Sequence, residues 1–369
     1  MIAIIIALIV AMSISLFGTP VWIKFLTKHN LGQFIRSDGP QTHLIKRGTP
    51  TIGGVVIIVA TCLGFGASAI FNMVSQGRPP GFAPILLLVI MILTGGIGFI
   101  DDFLKIRHSQ NEGLSISRKF IIQGAVGIVI ALLLLSSKDE YGLTPGNTSI
   151  HFFGDAGLDF QQLGRGVGIV LFVIWVNMLI TAWTNAVNLT DGLDGLCPGV
   201  SLVSFAGYIL IGMWEASQSC FDTSKSLSGT CYEVSHPFEL ATVCAAIVGA
   251  CVGFLWWNTS PAKIFMGDTG SMALGGAFAG VSMMTHTEFL AIMIGGVFVI
   301  EVLSDVIQIG AWKLSHRRIF KMAPIHHHFE LKGWQEITIV VRFWLVAAFM
   351  MTLGLVLFYF NWVFSLHTI

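Results

Sequence analysis

Charge is what this chain has least of. Asp, Glu, Lys and Arg make up only 11% of its 369 residues, against about 25% in an average soluble domain, too few to cover a water-facing surface. The formal net charge is zero and no basic tract occurs. That excludes nucleic acid as a partner, because its phosphates require clustered Lys and Arg. Cysteine is sparse as well: the 6 present show no metal-ligand spacing, which argues against a zinc site. Cys62, Cys197, Cys244 and Cys251 sit in or beside apolar stretches, whereas Cys220 and Cys231 share one polar loop. For that pair a disulfide and two free thiols are both open.

Apolar sequence is abundant, at 54% of the chain. Ten runs approach the roughly 20 residues that a spanning helix needs. They cover about 1–24, 51–74, 82–100, 119–137, 166–186, 196–214, 237–257, 270–287, 289–312 and 338–361. The pattern predicts an all-α polytopic membrane protein, a single integral-membrane domain over 1–369 with about ten transmembrane helices. The first run lacks a basic n-region and an obvious small-residue cleavage site, so a retained helix is expected rather than a signal peptide. Of the 20 Lys and Arg residues, all but Arg78, Lys138, Arg165 and Lys225 fall on the side reached after the first run. The positive-inside rule makes that side cytoplasmic and puts both termini outside.

Ionisable side chains at membrane depth are costly, and a group of them at one level needs a function that offsets the cost. Here they gather at the cytoplasmic ends of the runs. Asp101 and Asp102 close the run from Pro84 to Ile100. Two neighbouring carboxylates do not both ionise cheaply without a cation, and their oxygens are hard ligands suited to Mg²⁺. A solvated helix end screened by Lys105 is the plainer alternative, but aspartates at a helix C-terminus oppose the dipole. Asn185, Asn188, Asp191 and Asp194 recur every three residues with no Lys or Arg among them. Such a stripe calls for an outside cation or a hydrogen-bonding ligand.

Three further segments belong to the same side. Lys46 precedes Gly48-Thr49-Pro50-Thr51-Ile52-Gly53-Gly54, whose glycines admit a close ligand and whose lysine offers a cation to phosphate; a helix start beside a positive-inside lysine explains it equally well. Asp268 stands before another run, where capping is the common role. Its company is Asn258, with paired donor and acceptor atoms, and Phe265, a stacking face for a base. Pro324-Ile325-His326-His327-His328-Phe329-Glu330 holds three successive histidines. They cannot all face one metal from a regular helix, which leaves phosphate contact and general acid or base work.

These five motifs, in this order between ten apolar runs, resemble the phospho-N-acetylmuramoyl-pentapeptide transferase family of the polyprenyl-phosphate N-acetylhexosamine 1-phosphate transferase superfamily. The resemblance spans nearly the whole chain. It implies transfer of phospho-MurNAc-pentapeptide from UDP-MurNAc-pentapeptide to undecaprenyl phosphate, with Mg²⁺ as cofactor and lipid I and UMP as products. It also implies the bacterial cytoplasmic (inner) membrane, ten helices, extracytoplasmic termini, an active-site cleft on the cytoplasmic side and commonly a homodimer. Matched motif by motif, Asp101, Asp102 and Asp268 are the acidic catalytic set and metal ligands, with Asp268 the direct one. Lys46, Asn188, Asp191, Asp194, Asn258 and Phe265 match positions lining the nucleotide pocket. Lys105, Lys119 and the catalytic histidines His326, His327 and His328 would hold phosphates or help the metal site. Ile52, where the family usually has Met, departs from the pattern.

Two chemical routes fit these residues. An aspartate attacks the sugar-linked phosphate to give an acyl-phosphate, or one deprotonates the lipid phosphate for direct attack. The direct route with Asp102 as base is favoured, because the lipid phosphate is already a competent nucleophile. The nearest rival is a sister transferase using UDP-N-acetylglucosamine, against which the histidine run argues. A transporter predicts charges deep within helices, and only Glu301 and Asp305 lie so, inside the ninth run.

Overall fold

A computed structural model of the chain describes residues 1–29, 48–107, 113–151, 157–221 and 231–367. The apolar runs become helices α1 (Ile2–Lys28), α2 (Gly54–Gln76), α3 (Phe82–Arg107), α4 (Ile116–Leu134), α5 (Arg165–Thr190), α6 (Leu196–Ser217) and α7 (Pro237–Asn258). After them come α8 (Gly267–Met284), α9 (Leu290–Ile294), α10 (Gly296–Ser315), α11 (Ile325–Glu330) and α12 (Glu336–His367). A short antiparallel hairpin of β1 (Ser149–His151) and β2 (Gly157–Asp159) lies between α4 and α5. Cys220 and Cys231 are joined by a disulfide.

Among the described residues eight helices, α1 to α7 and α12, are long and apolar enough to cross a membrane. The chain is a multi-pass membrane protein. The two other expected spans are helical but fall short of that measure. Helix α8 is built largely from Gly, Ala, Ser and Thr. The ninth run does not form one helix: it breaks at Gly295 into α9 and α10. A Cβ at Gly295 would crowd the Phe278 and Trp183 rings at 2.9 Å, so the missing side chain lets the junction seat against those aromatics.

Lipid tails are as apolar as leucine and supply no hydrophobic drive between helices, so close packing across small residues does the holding. Helix α1 buries Ala3, Ala7, Ala11 and Ser15. At that interface Gly249 and Gly253 of α7 face the α1 backbone, where a Cβ would strike the carbonyls of Leu8 and Met12. The outward face of α1 carries Ile2, Ile5, Ile9 and Phe17, all exposed, as a lipid-facing surface should.

Helix α8 is the centre of the bundle and is buried from Thr269 through Met284. Glycines let its neighbours come close. A Cβ on Gly98 of α3 would run into the Asp268 carbonyl, and one on Gly54 of α2 would run into Gly270. These contacts press the N-terminus of α8 against the ends of α2 and α3. The Gly98→Ala and Gly54→Ala variants should each lose about 1–3 kcal/mol through overpacking, read as a lowered unfolding temperature in detergent. Gly96→Ala, whose Cβ would meet nothing within 4 Å, should match the parent in the same melt.

Candidate active site

The site forms where the C-terminal ends of α3 and α5 meet the N-terminal ends of α4 and α8. Asp102 is the joint. One of its oxygens accepts the Asp268 N–H at 3.1 Å; the other accepts the Thr269 N–H at 2.9 Å and the Thr269 hydroxyl at 2.7 Å. The carboxylate thus sits at the positive end of the α8 dipole and satisfies N–H groups that have no partner within the helix. This resolves the conflict posed by an aspartate pair at the end of α3, because Asp102 serves the next helix rather than its own. Gly267 leads into α8 at φ +73°, a left-handed conformation that suits glycine. A Cβ there would lie 2.6 Å from the Asp102 carboxylate.

Asp268, held in this way, is surrounded by donors. Its Oδ2 accepts from Lys105 Nζ at 3.0 Å and Lys119 Nζ at 3.3 Å, and its Oδ1 accepts from Asn188 Nδ2 at 2.8 Å. Asn188 Nδ2 also reaches the Ser271 hydroxyl at 2.9 Å. Lys105 bridges to Asp101 at 2.6 Å, while Asp101 accepts the Leu114 N–H at 2.8 Å. Two lysines from different helices, an amide and three carboxylates therefore share one small volume.

Asp191 follows α5 and adds a fourth acid. Burial, with the Asp268, Asp102 and Asp194 carboxylates close by, pushes its carboxyl up to about 8, against a backbone hydrogen bond from Gly267 that favours the charged form. Four acids, Asp101, Asp102, Asp191 and Asp268, thus gather with two lysines, Lys105 and Lys119. Among the described residues no three Asp, Glu, His or Cys side chains converge to cage a metal alone. Carboxylate oxygens are hard ligands of the kind that Mg²⁺ takes one or two at a time.

Other candidates are engaged differently. Asn258 is buried, accepting the Gly195 N–H at 3.0 Å and donating to the Ile264 carbonyl at 2.8 Å, so both ends of its amide tie loops together. Asp194 accepts the Ala262 N–H at 3.0 Å, while its own N–H goes to Glu336 at 2.9 Å. Phe265 is half-buried, and its backbone pairs with Pro50 and Gly53. Of the three histidines, His326 packs against the Asp191–Gly192 turn, where a Cβ on Gly192 would strike Nε2. His327 pairs with Glu330 at 2.6 Å, and His328 accepts the Lys321 N–H at 3.0 Å. Lys46 lies outside the described residues.

Residues 84–286 match the Glycosyl transferase family 4 profile. The phospho-N-acetylmuramoyl-pentapeptide-transferase of Beutenbergia cavernae is 56% identical over 363 residues, covering 98% of this chain and 99% of that protein. The chain belongs to the phospho-N-acetylmuramoyl-pentapeptide transferase family. Transferases of the same name from Bifidobacterium animalis subsp. lactis and Bifidobacterium adolescentis are 51% and 50% identical, each over 98% of this chain. The chain is thus an enzyme of this transferase family.

Several residues that build the site escaped the sequence reading. Thr269 and Ser271 look like ordinary small helix residues, and Glu336 like a surface acid, yet Glu336 also reaches the Ser260 hydroxyl at 3.4 Å. No local pattern marks them, because their partners lie on distant segments. Asp102→Ala removes the acceptor of three hydrogen bonds at the start of α8. At roughly 1.5–3 kcal/mol for each bond to a charged group, a clear fall in unfolding temperature should accompany a loss of transferase activity of at least about a hundredfold. Lys105→Met should cost more activity than Lys119→Met, measured as kcat/KM under identical conditions, since only Lys105 bridges two aspartates.

Proposed function

We propose that the chain transfers phospho-MurNAc-pentapeptide from UDP-MurNAc-pentapeptide to undecaprenyl phosphate at the cytoplasmic face of the bacterial inner membrane, forming lipid I and UMP. The observation that carries this reading is the Lys105–Asp268–Lys119 arrangement at the meeting of helix ends, a cationic and acidic centre at one end of the apolar helices. Apolar residues flank it. Phe99, Ile100 and Phe103 on α3 and Ile116, Phe120 and Ile121 on α4 are all exposed, a surface suited to a polyprenyl chain whose phosphate enters the centre.

In the reaction, an oxygen of the lipid phosphate attacks the sugar-linked phosphorus of the donor. A new P–O bond forms, the diphosphate bridge breaks, and the electron pair leaves on UMP. Transfer between two anions needs positioned cations more than covalent help. Lys105 and Lys119 lower the repulsion between the two phosphates, and Asn188 fixes the Asp268 carboxylate between them. The carboxylate donors fit Mg²⁺, which Asp268 would hold with Asp101 or Asp191, and which would supply charge neutralisation when bound. With both oxygens given to α8, Asp102 acts in this reading as the residue that places Asp268, and direct attack proceeds without it as a base. Ten spans, termini outside and a homodimer complete the proposal, on the strength of charge placement and family likeness.

The test is release of UMP by purified protein in detergent or liposomes. UDP-MurNAc-pentapeptide with undecaprenyl phosphate and Mg²⁺ should give UMP, and EDTA or Asp268→Ala should abolish it. Turnover of UDP-N-acetylglucosamine in its place would move the chain to the sister branch.

A further inference from the structure

Glu301 lies in the interior of α10 and is fully buried, with 0% exposure, as is His326 on α11. Among the described residues its ionic partner is that histidine: Glu301 Oε2 stands 3.1 Å from His326 Nδ1. The contact is angled short of a full hydrogen bond, and neither Glu301 oxygen nor either His326 nitrogen has a hydrogen-bond partner among the described residues. A carboxylate and an imidazole buried with so little satisfaction make a poor structural clip, because desolvation of such a pair outweighs its attraction unless further hydrogen bonds complete it. A purely structural role would be served as well by leucine and methionine.

The placement points elsewhere. The imidazole is gripped edge to edge, with Nδ1 toward Glu301 and Nε2 against Gly192, where any Cβ would strike it. Gly192 adjoins Asp191, whose carboxyl belongs to the acid cluster around Asp268. Glu301 therefore stands behind His326 on the side away from the reacting groups, in the relation that fixes the orientation and tautomer of a working histidine. Asp305 lies one turn further along α10.

We propose that Glu301 is a positioning residue for the transfer reaction: it holds the His326 ring by Nδ1 and so keeps the other edge of the ring against the Asp191–Gly192 turn, which carries Asp191 into the acid cluster around Asp268. The inference rests on the function proposed above and deepens it. No bond to Glu301 is made or broken, and its carboxylate acts only through the ring.

The experiment is a double-mutant cycle on the full-length enzyme with radiolabelled UDP-MurNAc-pentapeptide, undecaprenyl phosphate and Mg²⁺, comparing the parent, Glu301→Gln, His326→Gln and the double variant. Glu301→Gln should elute and melt like the parent, lower kcat at least tenfold and change the donor KM less than threefold. In the His326→Gln background the same substitution should change the rate less than twofold, since no ring remains to be held. Equal losses in both backgrounds, or parental activity in Glu301→Gln or in His326→Gln, would overturn the proposal. Glu301→Asp, which keeps the charge and shortens the reach, runs through the same cycle should Gln not fold. Failure of both variants to fold would assign the pair to folding and overturn the proposal too. A parent that releases no UMP would instead strike at the proposed function, and is told apart by the parent assay alone.

Discussion

Everything at the site depends on one carboxylate accepting hydrogen bonds from the start of another helix. Asp102, near the C-terminal end of α3, takes two backbone N–H groups and a hydroxyl from the first turn of α8. That junction fixes the direction in which Asp268 leaves the helix. The direction in turn decides that Lys105 from α3, Lys119 from α4 and Asn188 from α5 converge on a single carboxylate. The glycines at 54, 98 and 267 exist in the same frame, since each stands where a side chain would push α8 off the joint.

A site of this kind reconciles two demands that pull apart. An apolar bundle penalises every buried charge, while phosphoryl transfer requires several charges of both signs within a few ångströms. The protein meets both by confining the charges to helix termini, where backbone dipoles and unsatisfied N–H groups are available to share the electrostatic load. Asp102 uses a dipole, Asp101 uses the Leu114 N–H, and Asp268 uses side chains from three helices.

Much of this was legible in the residues. The apolar runs gave the helices, and the aspartates at 101, 102, 191 and 268 announced themselves by standing at the ends of those runs. What escaped was the division of labour. Asn258 and Asp194 carry the letters of ligand-binding residues, yet they tie the α5–α6 turn to the segment before α8. Spacing along a chain shows that polar groups share a face, not which of them spends its hydrogen bonds on the protein itself. The histidine run has the same ambiguity: three identical side chains, of which only the one at 326 is sealed between α10 and the Asp191–Gly192 turn. Glu301 was visible as an acid inside an apolar run, but its partner lies 25 positions away in sequence and comes close only when α11 folds back on α10.

The sheathing of α8 bears on how that helix is held. This helix, which carries Asp268, is absent from the set apolar enough to enter a bilayer by themselves, because Gly, Ser and Thr replace the leucines that such entry rewards. Its neighbour α7, by contrast, qualifies easily. The helix that carries Asp268 therefore depends for its place on close packing with the helices around it rather than on its own affinity for lipid.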